Sequence, residues 1–363
     1  MSGKAKGTKR KSRKQPPPTP ARRMCRWTAI AMVLYVVAMC CAGSYMMRGT
    51  AREIADRKQD WPDFLWSRFE SYGNWTNFIL EGLGWRGADA VYSYDVPAPE
   101  GSIYFAGAPV RTGPPAPKDI TIVERGEFAI GWSDTLLHPA WVAYHIPREA
   151  RFKQGKRPSF RRDRTIPNAP ITTDYTYSGF DRGHMAPNHA IATRFGENAQ
   201  RDTFQMGNIS PQTPALNRGV WREIELAAAD LWTARYGEIW VIVGTLPATS
   251  GQIPKIGPGI DVPAAYYAII VAETASASNG EGGNDEPFEV RALALKFPQD
   301  IELGVFAKYY IVSIDSLEQE SGLDFFPDLP EFIQNPLEAE TPTRLWPVRF
   351  WDIWGLLRVH CGG

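Results

Sequence analysis

GFDRGHMAPN, residues 179–188, sets an aspartate, an arginine and a histidine within four positions around a glycine. Such a run predicts a tight turn, because glycine supplies backbone freedom that other residues reach only with strain. A histidine there can act as a general base near neutral pH, and an arginine beside it can clamp phosphate oxygens bidentately. His184 and Arg182 are therefore the first catalytic candidates. Two stretches follow at short range, MGNISPQ (206–212), which carries Asn208, and LNRGVWREIE (216–225). In the second, Asn217 reads as the start of a helix. Glu225 lies eight residues on, a little over two turns, so both side chains leave nearly the same face. An amide oxygen and a carboxylate on one face suit a hard cation that keeps most of its waters, such as Mg²⁺. His, Arg, Asn and Glu together fit metal-assisted phosphodiester hydrolysis.

Just upstream, residues 148–164 hold eight Lys/Arg against Glu149 and Asp163. In an otherwise acidic body this is the one local basic patch able to meet a polyanion. Phe152 and Phe160 within it can stack on bases, although packing explains Phe160 equally well. No base-reading motif accompanies it, so sequence specificity is not expected.

The three motifs, in this order and spacing, resemble the DNA/RNA non-specific endonuclease family, the endonuclease G-like branch of the ββα-metal (His-Me finger) nucleases. DRGH is that family's signature. HPAWVAYHI (138–146) resembles the strand entering its domain, and SIDSLEQESGLDFFPDLP (313–330) its closing segment. The resemblance covers roughly residues 118–332. It implies that His184 activates water, that Asn217 is the one direct protein ligand to Mg²⁺ (Mn²⁺ being the alternative ion), and that Glu225 holds the metal's waters. It further implies that Arg182 contacts phosphate, that Asn208 supports the metal and base geometry, and that products carry 5′ phosphates. DNA and RNA would be the substrates, with a homodimer and an inhibitor protein as further partners. Two family positions depart. Ala229 stands where an arginine is common, with Arg222 on about the same face as the candidate substitute, and Ala268 stands where a lysine is common. Arg157 and Arg161 are both candidates for the family's upstream substrate-binding arginine.

The fold class follows from pattern. ITIV (120–123), EFAIGWS (127–133), WVAYHI (141–146), IWVIVG (239–244), AYYAIIVA (265–272), EVRALAL (289–295) and FAKYYIVSI (306–314) read as strands, and residues 217–236 as one amphipathic helix. Strands in succession with a single long helix predict α+β. The expected arrangement is a ββα-metal nuclease with a largely antiparallel central sheet flanked by helices. His138, His145 and His360 read as structural or surface residues, His189 as a loop histidine with a supporting role beside His184 as the alternative, and Trp221 as core.

The formal net charge of the 363 residues is zero by cancellation. Residues 1–26 carry ten Lys/Arg and no acid, so the rest holds 40 − 10 = 30 basic against 40 acidic residues, a net of −10. Residues 27–47 are 21 residues without a charge, which at about 1.5 Å per residue span a bilayer's hydrocarbon. The expectation is a disordered basic tail (1–26) on the cytoplasmic side, a transmembrane helix (27–47) and an extracytoplasmic body. A secretory signal cleaved near Ala42 is the competing reading, but the apolar run is long for one. A mitochondrial inner-membrane reading ranks below both. Residues 48–117 would be a juxtamembrane segment and a Pro/Gly-rich linker, 118–335 the endonuclease domain and 336–363 a C-terminal extension. Cysteine occurs only at 25, 40, 41 and 361, which excludes internal disulfides and a cysteine zinc site from the body. Composition excludes a fully disordered chain. Three other functions fit less of the pattern: a catalytically weak nucleic-acid-binding homologue at the membrane, a phosphodiesterase of small esters, and an interaction protein working through the basic tail and the 48–95 segment with its Trp61, Trp66, Trp75 and Trp85.

Overall fold

The computed structural model describes residues 91–94, 101–248, 251–275 and 288–346. The basic tail and the apolar run at 27–47 lie outside them, as do the tryptophans at 61, 66, 75 and 85 and residues 347–363. Among the described residues no helix is long and apolar enough to cross a membrane.

In chain order the strands are β1 (Tyr92–Tyr94), β2 (Val110–Arg111), β3 (Thr121–Glu124), β4 (Phe128–Ser133), β5 (His138–Ile146), β6 (Asp181–His184), β7 (Ile209–Gln212), β8 (Ile239–Leu246), β9 (Lys255–Ile256), β10 (Ile260–Asp261), β11 (Ala265–Ala275), β12 (Phe288–Pro298), β13 (Ile311–Val312) and β14 (Leu323–Asp324). The helices are α1 (Asn188–Phe195), α2 (Glu197–Thr203), α3 (Pro214–Arg218), α4 (Val220–Leu226), α5 (Thr233–Tyr236), α6 (Ile314–Ser321) and α7 (Glu331–Ala339), with a π-helical segment at Ala227–Trp232 between α4 and α5. The main sheet runs β1-β12-β11-β8-β5-β4-β3 with β13 on β12, and its pairings are antiparallel.

The central strands are continuous β-branched and aromatic runs because both faces of the sheet are covered. Alternation then sorts side chains between two cores. Ile239, Val241 and Val243 of β8 join Tyr266, Ala268 and Ile270 of β11 on the face that packs α4 and the π segment. Trp240 and Ile242 join Tyr267, Ile269 and Val271 on the face under α6 and α7. Each large apolar side chain so buried contributes about 1.5–3 kcal/mol. The layered α+β architecture expected from the strand pattern is present.

Four local expectations are corrected. Residues 101–117 are not a free linker: Phe105 is buried against Trp240 and Phe326, and β2 pairs with β14. FAKYYIVSI is a 3₁₀ turn (Ala307–Tyr310), the short β13 and the start of α6, not one strand. The 217–236 helix starts earlier, at Pro214, and breaks at Gly219. It resumes as α4, widens into the π segment and ends in α5. Finally, the body continues past 335, with Trp346 buried against Trp232 and Tyr236 and its carbonyl accepting from the Trp232 indole.

Candidate active site

DRGH is a strand, not a turn. Asp181, Arg182, Gly183 and His184 pair antiparallel with Gln212, Pro211, Ser210 and Ile209. The left-handed backbone lies two residues earlier, at Gly179 (φ +83°), where glycine avoids strain. Gly183 has a different reason to lack a side chain, since a Cβ there would overlap the Gln212 amide packed across the ribbon. The ribbon leads through α1 and α2 into β7 and on to α3. That sequence forms a ββα finger lying against the main sheet.

His184 ends β6 and is buried between aromatic rings, with centroids 5.2 Å from Phe160 and 4.7 Å from Phe204. Its Nε2 has no hydrogen-bond partner among the described residues. Burial, reinforced by the nearby Arg157 cation, lowers its pKa to about 3, which keeps the ring neutral. The following backbone is fixed by Asn208. Its Oδ1 accepts from the Ala186 N–H at 2.8 Å, and its Nδ2 donates to the Ala186 and Thr203 carbonyls at 3.0 Å each. Its own carbonyl accepts from the Met185 N–H. Asn208 is fully buried, does not line the cleft, and holds the segment after His184 through the backbone.

Helix α3 is capped by Thr213, whose hydroxyl accepts from the Leu216 N–H, with Pro214 at the first helical position. Asn217 therefore sits near the C-terminal end of α3, not at its start. Its Nδ2 donates to Asp181 Oδ2 at 2.9 Å. That contact commits the amide nitrogen and leaves the oxygen as the end available to a cation. Arg218 donates to both Asp181 oxygens, at 2.7 and 2.6 Å. Burial pushes the Asp181 carboxyl up, but the bonds from Arg218 and Asn217 outweigh it and hold the group below its usual range.

Glu225 reaches the same cleft from α4. Burial raises its pKa to about 8, with Trp221, Arg222 and Arg157 offsetting part of the shift. On its sheet side Glu225 shares a small void with Tyr144, Trp221 and Ala268. The alanine at 268 brings no cation there, and the void is where a longer side chain would extend.

The cleft brings together His184, Arg182, Asn217, Glu225, Arg157 and Arg222 from the sequence-derived set. Arg182 donates to the Thr172 carbonyl and lies over the Phe160 ring, and Arg157 lies over Phe160 and Phe204. Arg161 is not brought in, because its guanidinium pairs with Asp202 outside the cleft; of the two upstream arginines, the structure places Arg157 at the site. Arg218, Gln154 and His189 line the cleft too. Arg218 adjoins Asn217 in sequence and was legible there. Gln154 carried no signal, because its partner is remote in the chain; His189, read as a loop histidine, lies instead in α1 and lines the cleft.

An amide oxygen, a carboxylate and an unpartnered imidazole nitrogen on one cleft fit a hydrated divalent cation. Among the described residues, the one group of three close acidic or histidine ligands is Asp315, Glu318 and Glu338. It lies between α6 and α7 on the other face of the sheet. A cation held by a single protein ligand and waters leaves no such cluster.

A ββα finger with these groups converging on one basic cleft is the working part of a nuclease of the ββα-metal class. Comparison with known proteins agrees with that class. Residues 107–332 match the family described as DNA/RNA non-specific endonuclease, and the chain belongs to that family of nucleic-acid hydrolases. It is 28% identical over 226 residues to a nuclease of Nostoc sp., covering 61% of this chain and 79% of that one. To the human mitochondrial nuclease EXOG it is 33% identical over 214 residues, 55% of either chain. To bovine mitochondrial endonuclease G it is 28% identical over 242 residues, 61% of this chain and 77% of that one. A solved structure described as the EndoG/EndoGI complex shares the fold, with a TM-score of 0.51 at 23% identity over 58% of this chain and 88% of that one.

Proposed function

We propose that the protein is a Mg²⁺-dependent endonuclease that hydrolyses DNA and RNA without sequence preference, with Mn²⁺ as the alternative ion. The observation that carries this is His184: buried, neutral and unpartnered at Nε2, it shares one cleft wall with Asn217 and Glu225. His184 takes the proton of the attacking water. Arg157, Arg182 and Arg222 bind and orient the phosphodiester, and the exposed guanidiniums contact the backbone rather than base edges. Asn217 would ligate the cation through its amide oxygen, with Asp181 holding the amide nitrogen. Glu225 would hold the cation's waters. When bound, the ion supplies charge stabilisation to the phosphorus centre and the leaving oxygen. Asn208 keeps His184 in place through the backbone at 185 and 186.

Residues 27–47 support an uncleaved anchor, with residues 1–26 on the cytoplasmic side and the catalytic domain on the extracytoplasmic side. Protease protection of the domain in sealed membranes tests this. The description of the EndoG/EndoGI structure speaks of EndoG inhibition, which supports an inhibitor protein as a partner here as well, beside a homodimer. Alanine at 229 and 268, both buried, favours one second reading, a weak homologue that binds nucleic acid. The full chain and His184→Ala, each incubated with supercoiled plasmid and with RNA in Mg²⁺ or EDTA, separate the two. Cleavage of both substrates by wild type alone, and only with metal, supports the nuclease. Gel retardation without cleavage supports the binding protein.

A further inference from the structure

We propose that His189, backed by Asp230, is a positioning residue that sets Arg157 over the cleft by clamping the basic loop; this rests on the nuclease reading above. One helix grips the start of that loop at three points. The Thr193 carbonyl of α1 accepts from the Phe152 N–H at 2.9 Å, and Arg194 donates to the Pro147 carbonyl at 3.3 Å. His189 Nδ1 meets Gln154 Oε1 at 2.9 Å. His189 and Thr193 are four residues apart and share a face of α1.

Behind them stands Asp230. One of its oxygens meets His189 Nε2 at 2.9 Å, and the other accepts from Arg194 at 3.4 Å. The buried Arg194 also donates to Thr193 Oγ1 and to the Ala229 carbonyl. The π segment makes this alignment. In an uninterrupted α-helix, residues five apart lie about 140° from each other, whereas a widened i→i+5 turn brings Asp230 round toward the face that carries Glu225.

The downstream end of the loop is fixed separately. The Arg161 N–H donates to the Phe204 carbonyl, and its carbonyl accepts from the Met206 N–H. Arg157 lies between the two anchors, three residues beyond Gln154, over the Phe160 and Phe204 rings; among the described residues it forms no salt bridge, and Asp181 and Glu225 feel its charge from further off. The His189–Gln154 contact is the last side-chain hold before it. Without that hold the span from 152 to 161 keeps only its end bonds and the ring contacts of Arg157 and Phe160, and more of the ordering of Arg157 over the phosphate must be done at each binding event.

The test uses the full chain and a fluorescein-labelled DNA duplex. Affinity is read by anisotropy in EDTA across a salt series, and cleavage is read in Mg²⁺. His189→Ala, Asp230→Asn and Gln154→Ala are expected to weaken binding roughly tenfold and to flatten the salt dependence by about one phosphate contact, as Arg157→Ala does. Adding His189→Ala to Arg157→Ala should cost little more, since one effect acts through the other. In cleavage the loss should fall on KM, with kcat held within about twofold. Gln154→Ala touches no core group, so it keeps the test open if the other variants lose stability. Unchanged affinity and salt slope in Gln154→Ala, or full additivity of His189→Ala with Arg157→Ala, overturns the clamp. If wild type binds the duplex but does not cut it, the nuclease reading fails, while the binding series still decides the clamp.

Discussion

Glu225 and Glu338 lie on opposite faces of the same sheet, and burial raises both to a pKa of about 8. Their neighbours differ. Glu225 faces the cleft, where Arg222 and Arg157 pull the shift back and His184 stands unpartnered nearby. Glu338 sits among Glu318, Asp324 and Asp315, which push it further up, while the Gln334 amide donates to it. Glu318 beside it is raised to about 7. The same titration shift thus arises at a cationic cleft, where a bound metal would relieve it, and in a packed acidic seam between two helices. A perturbed carboxyl alone does not mark a site. The surrounding cations and the unpartnered polar atom do.

Substitutions can break this contrast, beginning with the largest effect. His184→Ala should lower plasmid cleavage by about 10²- to 10⁴-fold while the protein still retards plasmid on a gel. Asn217→Ala and Glu225→Gln should each raise the Mg²⁺ concentration for half-maximal cleavage by roughly 10- to 100-fold, read in a metal titration. Glu225 also sets a pH limb. Protonated below its raised pKa, it should depress activity as pH falls, and added Mg²⁺ should move that limb to lower pH because the cation favours the carboxylate. Glu225→Gln should remove this metal-dependent movement.

Asn208→Ala strands three buried backbone groups at about 1–3 kcal/mol each at most, so the midpoint of urea unfolding should fall markedly. The smallest change is expected at Glu338→Gln. Its folded-state pKa lies above the ordinary 4.5, so the native state keeps a proton that the unfolded chain releases. Stability is therefore lost as pH rises from about 4.5 through about 8. The variant should flatten that decline in an EDTA melting series, raise the melting temperature a few degrees above pH 8, and leave cleavage unchanged. Altered metal dependence of cleavage in Glu338→Gln would erase the distinction between the two carboxylates.

The sequence determined the strands that bury both faces, because an uninterrupted apolar run rich in β-branched and aromatic residues, such as AYYAIIVA, has few other ways to hide its side chains. It also determined which groups could converge on one cleft, since DRGH, Asn217 and Glu225 lie within 45 residues and local spacing limits how far apart they can fold. What it could not determine were conformations decided by remote partners. DRGH reads as a turn, yet antiparallel pairing with Ile209–Gln212 makes it a strand. Asn217 reads as a cap, yet Thr213 and Pro214 start the helix earlier and Asp181 takes the amide. The choice of Arg157 over Arg161 depends on Asp202 and on the Phe160 and Phe204 rings. The link from His189 to Asp230 spans 41 residues and a π turn. Composition and period act along the chain, whereas ion pairs, ring packing and burial act through space, so only the tertiary structure could assign them.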